Sequence, residues 1–140
     1  MSLEENKTIL RRMVEEVICG GNLDLMDELV APDFVNHHSI ATGEASHSIG
    51  VENFRQEIMR LRSVFPDIAM TIIHLLADGD KVVEHYQFRG THKGEFMGVP
   101  ATGKRVEGSG ITIARIANGK LAERWNIPDR YGILQQLGAI

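Results

Sequence analysis

Between Asn6 and Cys19 the apolar residues fall at Ile9, Leu10, Met13, Val14, Val17 and Ile18, with Arg11, Arg12, Glu15 and Glu16 between them. That spacing predicts an amphipathic helix with one buried stripe. Ser2 and Glu5 are placed for a capping box, and Gly20-Gly21 supplies the stop. Asn22 is placed to cap a shorter helix that turns Leu25, Met26, Leu29 and Val30 to the core and ends at Pro32. A third helix is predicted over 51–65, where Val51, Phe54, Ile58, Leu61 and Phe65 keep helical spacing up to Pro66. The stretch NHHSIATGEASHSIG between the last two follows neither period and reads as a loop, of a length that suits a lid or an entrance rim.

After Pro66 the pattern changes. Residues 68–76 are rich in β-branched side chains, ADGD at 77–80 is a turn, and 81–89 resumes strand composition. A Gly-containing connection, GTHKGEFMGVPATG, leads to a strand over 104–116; Asn118-Gly119 marks a hairpin turn, and the last strand is 120–127. Pro128 ends it, Asp129 is placed as a helix cap, and Ile133, Leu134 and Leu137 belong to a short terminal helix. Three helices followed by four hairpin-linked strands is an α+β order. The expectation is one domain over 1–140, a curved antiparallel sheet with the helices on one face.

Successive strand residues point to opposite faces, so each strand splits in two. In 104–116 one set is Val106, Gly108, Gly110, Thr112 and Ala114, unusually small for mid-sheet. It implies a sharp bend, or a cone whose inner face is kept open for a ligand, or both. In 81–89, Val82, Glu84, Tyr86 and Phe88 alternate with Val83, His85, Gln87 and Arg89; both sets are mixed, so parity leaves the inner set open. In 120–127, Ala122, Arg124 and Asn126 oppose Leu121, Glu123, Trp125 and Ile127, which suggests an outer, interface-facing Trp125.

Composition narrows the partners. The 140 residues are 43% apolar and carry 15 basic against 19 acidic groups, a net charge of -4 without a basic run, which excludes a nucleic-acid surface. Cys19 is the single cysteine, so no internal disulfide forms and the cytoplasm is the expected compartment. No apolar run approaches the roughly 20 residues that span a bilayer. His37 and His38 are adjacent and face opposite sides, and no HExxH spacing occurs, so neither a metal nor another cofactor is expected.

The candidates for chemistry are then few. His85, beside Gln87, is the proton-transfer candidate, because histidine titrates near neutrality without tuning. On the competing parity that face is the outer one, with His85 in a dimer contact and Glu84 and Tyr86 inside. Asp129 is a weaker catalytic candidate, since a capping carboxylate stays ionised and weakly basic. Asn126, Thr112, Gln87, His37, Tyr86 and Arg124 are candidate ligand contacts.

The order of elements, with GTHKGEFMGVPATGKRV, ITIARIANGKLAERW and the ending DRYGILQQLG, resembles the SnoaL-like polyketide cyclase family of the nuclear transport factor 2-like superfamily. The resemblance spans about Asn6 to Gly138. It implies a cone-shaped α+β roll closing an apolar pocket, a homodimer through the outer sheet face, and a small apolar carbonyl compound as substrate. It also implies an acid/base aspartate just after the last-strand tryptophan, helped by a histidine fourteen positions earlier. Here those positions are Asn126 and Thr112, neither of which transfers a proton near neutral pH. Two readings stand at this point: a cofactor-independent cyclase or isomerase with its acid/base group elsewhere, or a noncatalytic binder of an apolar metabolite.

Overall fold

The computed structural model describes residues 2–38 and 45–140. Helix α1 (Leu3–Arg12) opens with the capping box, Ser2 and Glu5 each bonding the other's backbone N–H. The helix then widens into a π-helical segment, Met13–Cys19, so the expected single helix changes pitch midway. Gly20 ends it where a Cβ would lie 2.6 Å from the Glu16 carbonyl oxygen, a position only glycine takes without movement. Arg62 closes the end from outside, its Nη1 donating to the carbonyls of Ile18 at 2.6 Å and Cys19 at 3.0 Å.

A 3₁₀ turn, Leu23–Leu25, leads into α2 (Met26–Leu29). The expected Asn22 side-chain cap does not form. The chain also leaves the helix earlier than Pro32, because β1 (Val30–His38) already begins at Val30. With β2 (Ala45–Ile49) it takes up most of the stretch expected to be a loop. Residues 39–44, to which the lid reading also applied, lie outside the described residues. Helix α3 (Val51–Val64) buries Phe54 and Ile58 as its spacing predicts, and also Val64, outside the predicted stripe, while Val51 and Leu61 are half-buried.

The remaining strands are β3 (Ala69–Asp78), β4 (Lys81–Thr91), β5 (Arg105–Ala117) and β6 (Lys120–Pro128), followed by α4 (Arg130–Gln136). They form one six-stranded sheet in the order β2-β1-β6-β5-β4-β3. All neighbours are antiparallel except β1 and β6, which run parallel, so the sheet is mixed and not wholly antiparallel as expected. The architecture is α+β, with α1, its π-helical extension and α3 over the concave face.

The core lies between these helices and that face. Phe34 of β1 and Phe54 of α3 stack with centroids 4.5 Å apart, both fully buried. Truncating either to alanine costs roughly 3–5 kcal/mol. Phe65 packs edge-on to Phe96 at 5.2 Å and tilted to Phe88 at 6.0 Å. The small residues of β5 are explained by this face. A Cβ on Gly108 would sit 2.6 Å from the Phe88 ring, and one on Gly110 would strike the Tyr86 phenol. The missing volume is thus occupied mainly by aromatic rings from β4.

Candidate functional site

Burial settles the parity of β4: Val82, Glu84, Tyr86 and Phe88 are buried, while Val83 and His85 are only half-buried and Gln87 is exposed. Register then aligns one row of inner side chains, Glu84 opposite Thr112 and Thr112 opposite Asn126. One step along, Ala114 faces Arg124, and Arg124 pairs with Asn36 of β1. The polar interior of the cone is therefore built from four strands.

Two joined compartments run beneath α1 and α3. The larger, about 50 Å³, is walled by apolar side chains including Phe65, Met70 and Phe96 and by Tyr86, Arg124 and Asn126. The smaller, about 20 Å³, holds Glu84 and Thr112 among Leu10, Met13, Val14 and Phe54. Ile18, Met70 and Arg124 belong to both. These volumes hold a few waters, so a larger ligand enters only as flexible wall side chains such as Met70 swing aside. Roomier depressions on the outside, beside the Gly79 and Gly119 turns and along β3, have only exposed ionisable groups at their walls.

Within the cone, Asn126 Oδ1 accepts from the Tyr86 hydroxyl at 2.8 Å and from Thr112 Oγ1 at 3.1 Å. Its oxygen is thereby occupied by two donors. The NH2 end makes no hydrogen bond among the described residues, and Asn126 lines the larger compartment, so it is the half of the amide offered to a ligand. A carbonyl oxygen is the acceptor it suits.

Glu84 is the ionisable group that the alternative parity of β4 places inside. It is 4% exposed, and no hydrogen bond from the described residues reaches its carboxylate. Burial pushes its pKa up to about 7, against the partial opposition of the Arg124 cation. Tyr86 is also raised, by burial first, and so keeps its proton for Asn126. Arg124 is half-buried; its guanidinium lies 5.5 Å from the centroid of Phe54, and Nη1 reaches Asn36 Oδ1 only at 3.5 Å. Asn36 in turn donates to Glu57 Oε2 at 3.0 Å, which anchors β1 to α3.

The other expected residues lie elsewhere. His85 points to the outer face, its Nδ1 3.0 Å from that of His74 on the paired strand, because the helices cover the opposite parity. Gln87 shares that outer face. His37 is outside too, stacked on Trp125 at 4.7 Å and bonded through Nε2 to Glu123 at 2.6 Å. Its neighbour His38 has the inward parity of Asn36, and burial lowers its pKa. Asp129 is the cap of α4, its Oδ1 accepting from Gly132 N at 3.0 Å. His92, fully buried, anchors its connection by accepting from Thr102 N at 3.1 Å. Asn126, Thr112, Tyr86 and Arg124 are brought together as expected. The signal for Glu84 was a carboxylate in strict alternation with Val82, Tyr86 and Phe88.

Comparison with known proteins agrees with this geometry. The model of the SnoaL-like polyketide cyclase family matches residues 8–137. A nogalonic acid methyl ester cyclase of Streptomyces nogalater is 31% identical over 119 residues, 84% of this chain and 87% of the relative. The aklanonic acid methyl ester cyclase DauD of Streptomyces sp. (strain C5) is 31% identical over 134 residues, 93% of this chain and 80% of the relative. Among solved structures, TsrD from Streptomyces laurentii superposes with a TM-score of 0.88 at 26% identity, covering 100% of this chain and 99% of that one. With its curved sheet, helix-covered cone and polar row at Glu84, Thr112 and Asn126, this chain belongs to the SnoaL-like polyketide cyclase family.

Proposed function

We propose that the chain catalyses an intramolecular aldol-type ring closure of a small carbonyl compound, with Glu84 as the acid/base group. The observation that carries this reading is Glu84 itself, a carboxylate at the wall of the cavity, buried without a hydrogen bond from the described residues and pushed up to about 7. An ionised carboxylate in apolar surroundings is a stronger base than one in water, and near neutrality both of its forms are populated. Glu84 takes the proton from the carbon next to a carbonyl; that carbon then bonds to a second carbonyl carbon of the same molecule. The same carboxyl returns its proton to the alkoxide so formed. The Asn126 NH2 polarises the first carbonyl as charge builds on its oxygen, and Tyr86 and Thr112 hold the amide in that orientation. The relatives' cyclase activity favours this over a purely binding role, and Glu84 supplies the proton transfer that Asn126 and Thr112 lack.

The test is the pH dependence of turnover with a cyclisable diketone or with the esters named for the relatives. Activity is expected to rise with pH to a plateau, with an apparent pKa near 7 that vanishes in Glu84→Gln. A flat profile through that range, or an unchanged one in the variant, overturns the assignment.

The assembly proposed is a homodimer through the outer sheet face. Ile111, Ile113 and Ile127 are exposed on that side beside half-buried Trp125, which supports an apolar contact there. Light scattering of Ile113→Glu is the check: a wild-type dimer that becomes a monomer supports it, and a wild-type monomer ends it. Cys19, a free thiol, suits a reducing compartment, which supports placing the protein in the cytoplasm.

A further inference from the structure

Arg124 is costly to keep where it is. A guanidinium carries five N–H donors, and here the hydrogen bond formed among the described residues is one long contact to Asn36. No salt bridge to it forms among the described residues, and Glu84 and Glu57 act on it only through space, although the outer face of the same strand pairs Glu123 with both His37 and Arg115. The Phe54 ring covers one side of the group. Its remaining donors therefore open onto the two compartments it joins. A planar, partly desolvated fork with free donors fits a planar anion that accepts two parallel hydrogen bonds.

We infer that the substrate is a keto acid, its free carboxylate held by the Arg124 fork while the ketone lies against the Asn126 NH2. This deepens the reading of the cavity as a reaction site and rests on it. Arg124 stands one register step from Asn126 on the same face of β6, so carboxylate and ketone are held a few ångströms apart. Glu84, two strands away across the row, then meets a carbon beside the ketone and not the carboxylate carbon. The relatives are named for methyl esters, whose oxygens carry no charge. An ester leaves the guanidinium unpaired in a site already stripped of much of its water, which is where a lost partner discriminates most.

The experiment compares 2-naphthoate with methyl 2-naphthoate by calorimetry on the full chain. These probes share their ring system and differ in the charged group. Wild-type protein is expected to bind the acid at least tenfold more tightly than the ester. Arg124→Met is expected to bring the two within about twofold, and Arg124→Lys, which keeps the charge but loses the fork, to fall between. Should Arg124→Met fail to fold, an acid-to-ester ratio at least threefold below wild type in Arg124→Lys supports the assignment, and an unchanged ratio overturns it. Equal binding of the two probes by wild type, tighter binding of the ester, no binding of the acid at millimolar concentration, or an unaltered ratio in Arg124→Met also overturns it. Binding is read without turnover, so that failure leaves the role of Glu84 standing; a Glu84→Gln protein that still turns over leaves the acid preference standing.

Discussion

Glu84 and Glu123 are carboxylates of one sheet, on opposite faces of it, and their surroundings push them in opposite directions. Glu123, on the outer face, accepts from Arg115 at 2.9 Å and His37 at 2.6 Å, and those hydrogen bonds hold its carboxyl below the usual range. Glu84, on the inner face, has hydrocarbon around it and is pushed up to about 7. Pairing makes an anion comfortable and inert; burial without partners makes it reactive. The sheet thus separates a paired carboxylate from a buried, raised one by the thickness of a single layer.

The largest expected effect comes from removing the inner charge. Glu84→Gln is expected to lower turnover by about 10²–10⁴-fold, the usual weight of a positioned acid/base group, while His85→Asn on the outer face stays within about twofold of wild type. If the histidine variant is the crippled one, the assignment of faces to roles is reversed and the comparison collapses.

The same substitution is expected to stabilise the protein, and the pH dependence gives the sign. A carboxyl whose native pKa lies above its unfolded value binds more protons when folded, so its ionisation destabilises the fold progressively from about pH 4.5 to pH 7 and by a constant amount above. The shift corresponds to about 3 kcal/mol as an upper figure. Urea melts should show Glu84→Gln gaining on wild type between pH 4.5 and pH 8, and a difference that does not change with pH would remove the burial argument.

A smaller effect sharpens the point by moving the charge. Asn126→Asp in the Glu84→Gln background places a carboxylate where the family resemblance expects one, and about tenfold recovery of the lost turnover is expected. No recovery would mean that the position two strands away cannot stand in for Glu84. Smallest of all is Glu123→Gln. A half-buried pair of this kind contributes roughly 0.5–1 kcal/mol. Its lowered pKa makes that contribution present above the unfolded carboxylate value and lost as pH falls through the folded one. Melts at pH 7 and pH 3 test this, the variant's deficit being expected to shrink from pH 7 to pH 3.

Much of this was legible in the sequence. The stripes of α1 and α3, the hairpin turns and the Asp129 cap follow from periodicity and turn chemistry, and they appear where expected. β1 and β2 were not legible, because Pro32, Asn36 and the neighbouring histidines break any alternation of apolar and polar residues. The pairing of Thr112 with Asn126 was what the family resemblance implied, and it matches the register. His85 was chosen for its intrinsic pKa, whereas in the proposed site burial shifts a different residue, Glu84, into the same range. Which parity of β4 is inner depends on where the helices lie, a long-range fact that no local window contains.

Gly110 gives the site one further property. Its hydrogen is all that lets the Tyr86 phenol lie flat over β5 and reach Asn126. A methyl group there would push the phenol off, release the amide oxygen from one of its two donors and free the amide to rotate. An acceptor could then face the ligand where a donor did before. The polarity presented to a substrate is thus governed by a residue with no side chain, and an alanine at that position would alter recognition without touching a single polar group.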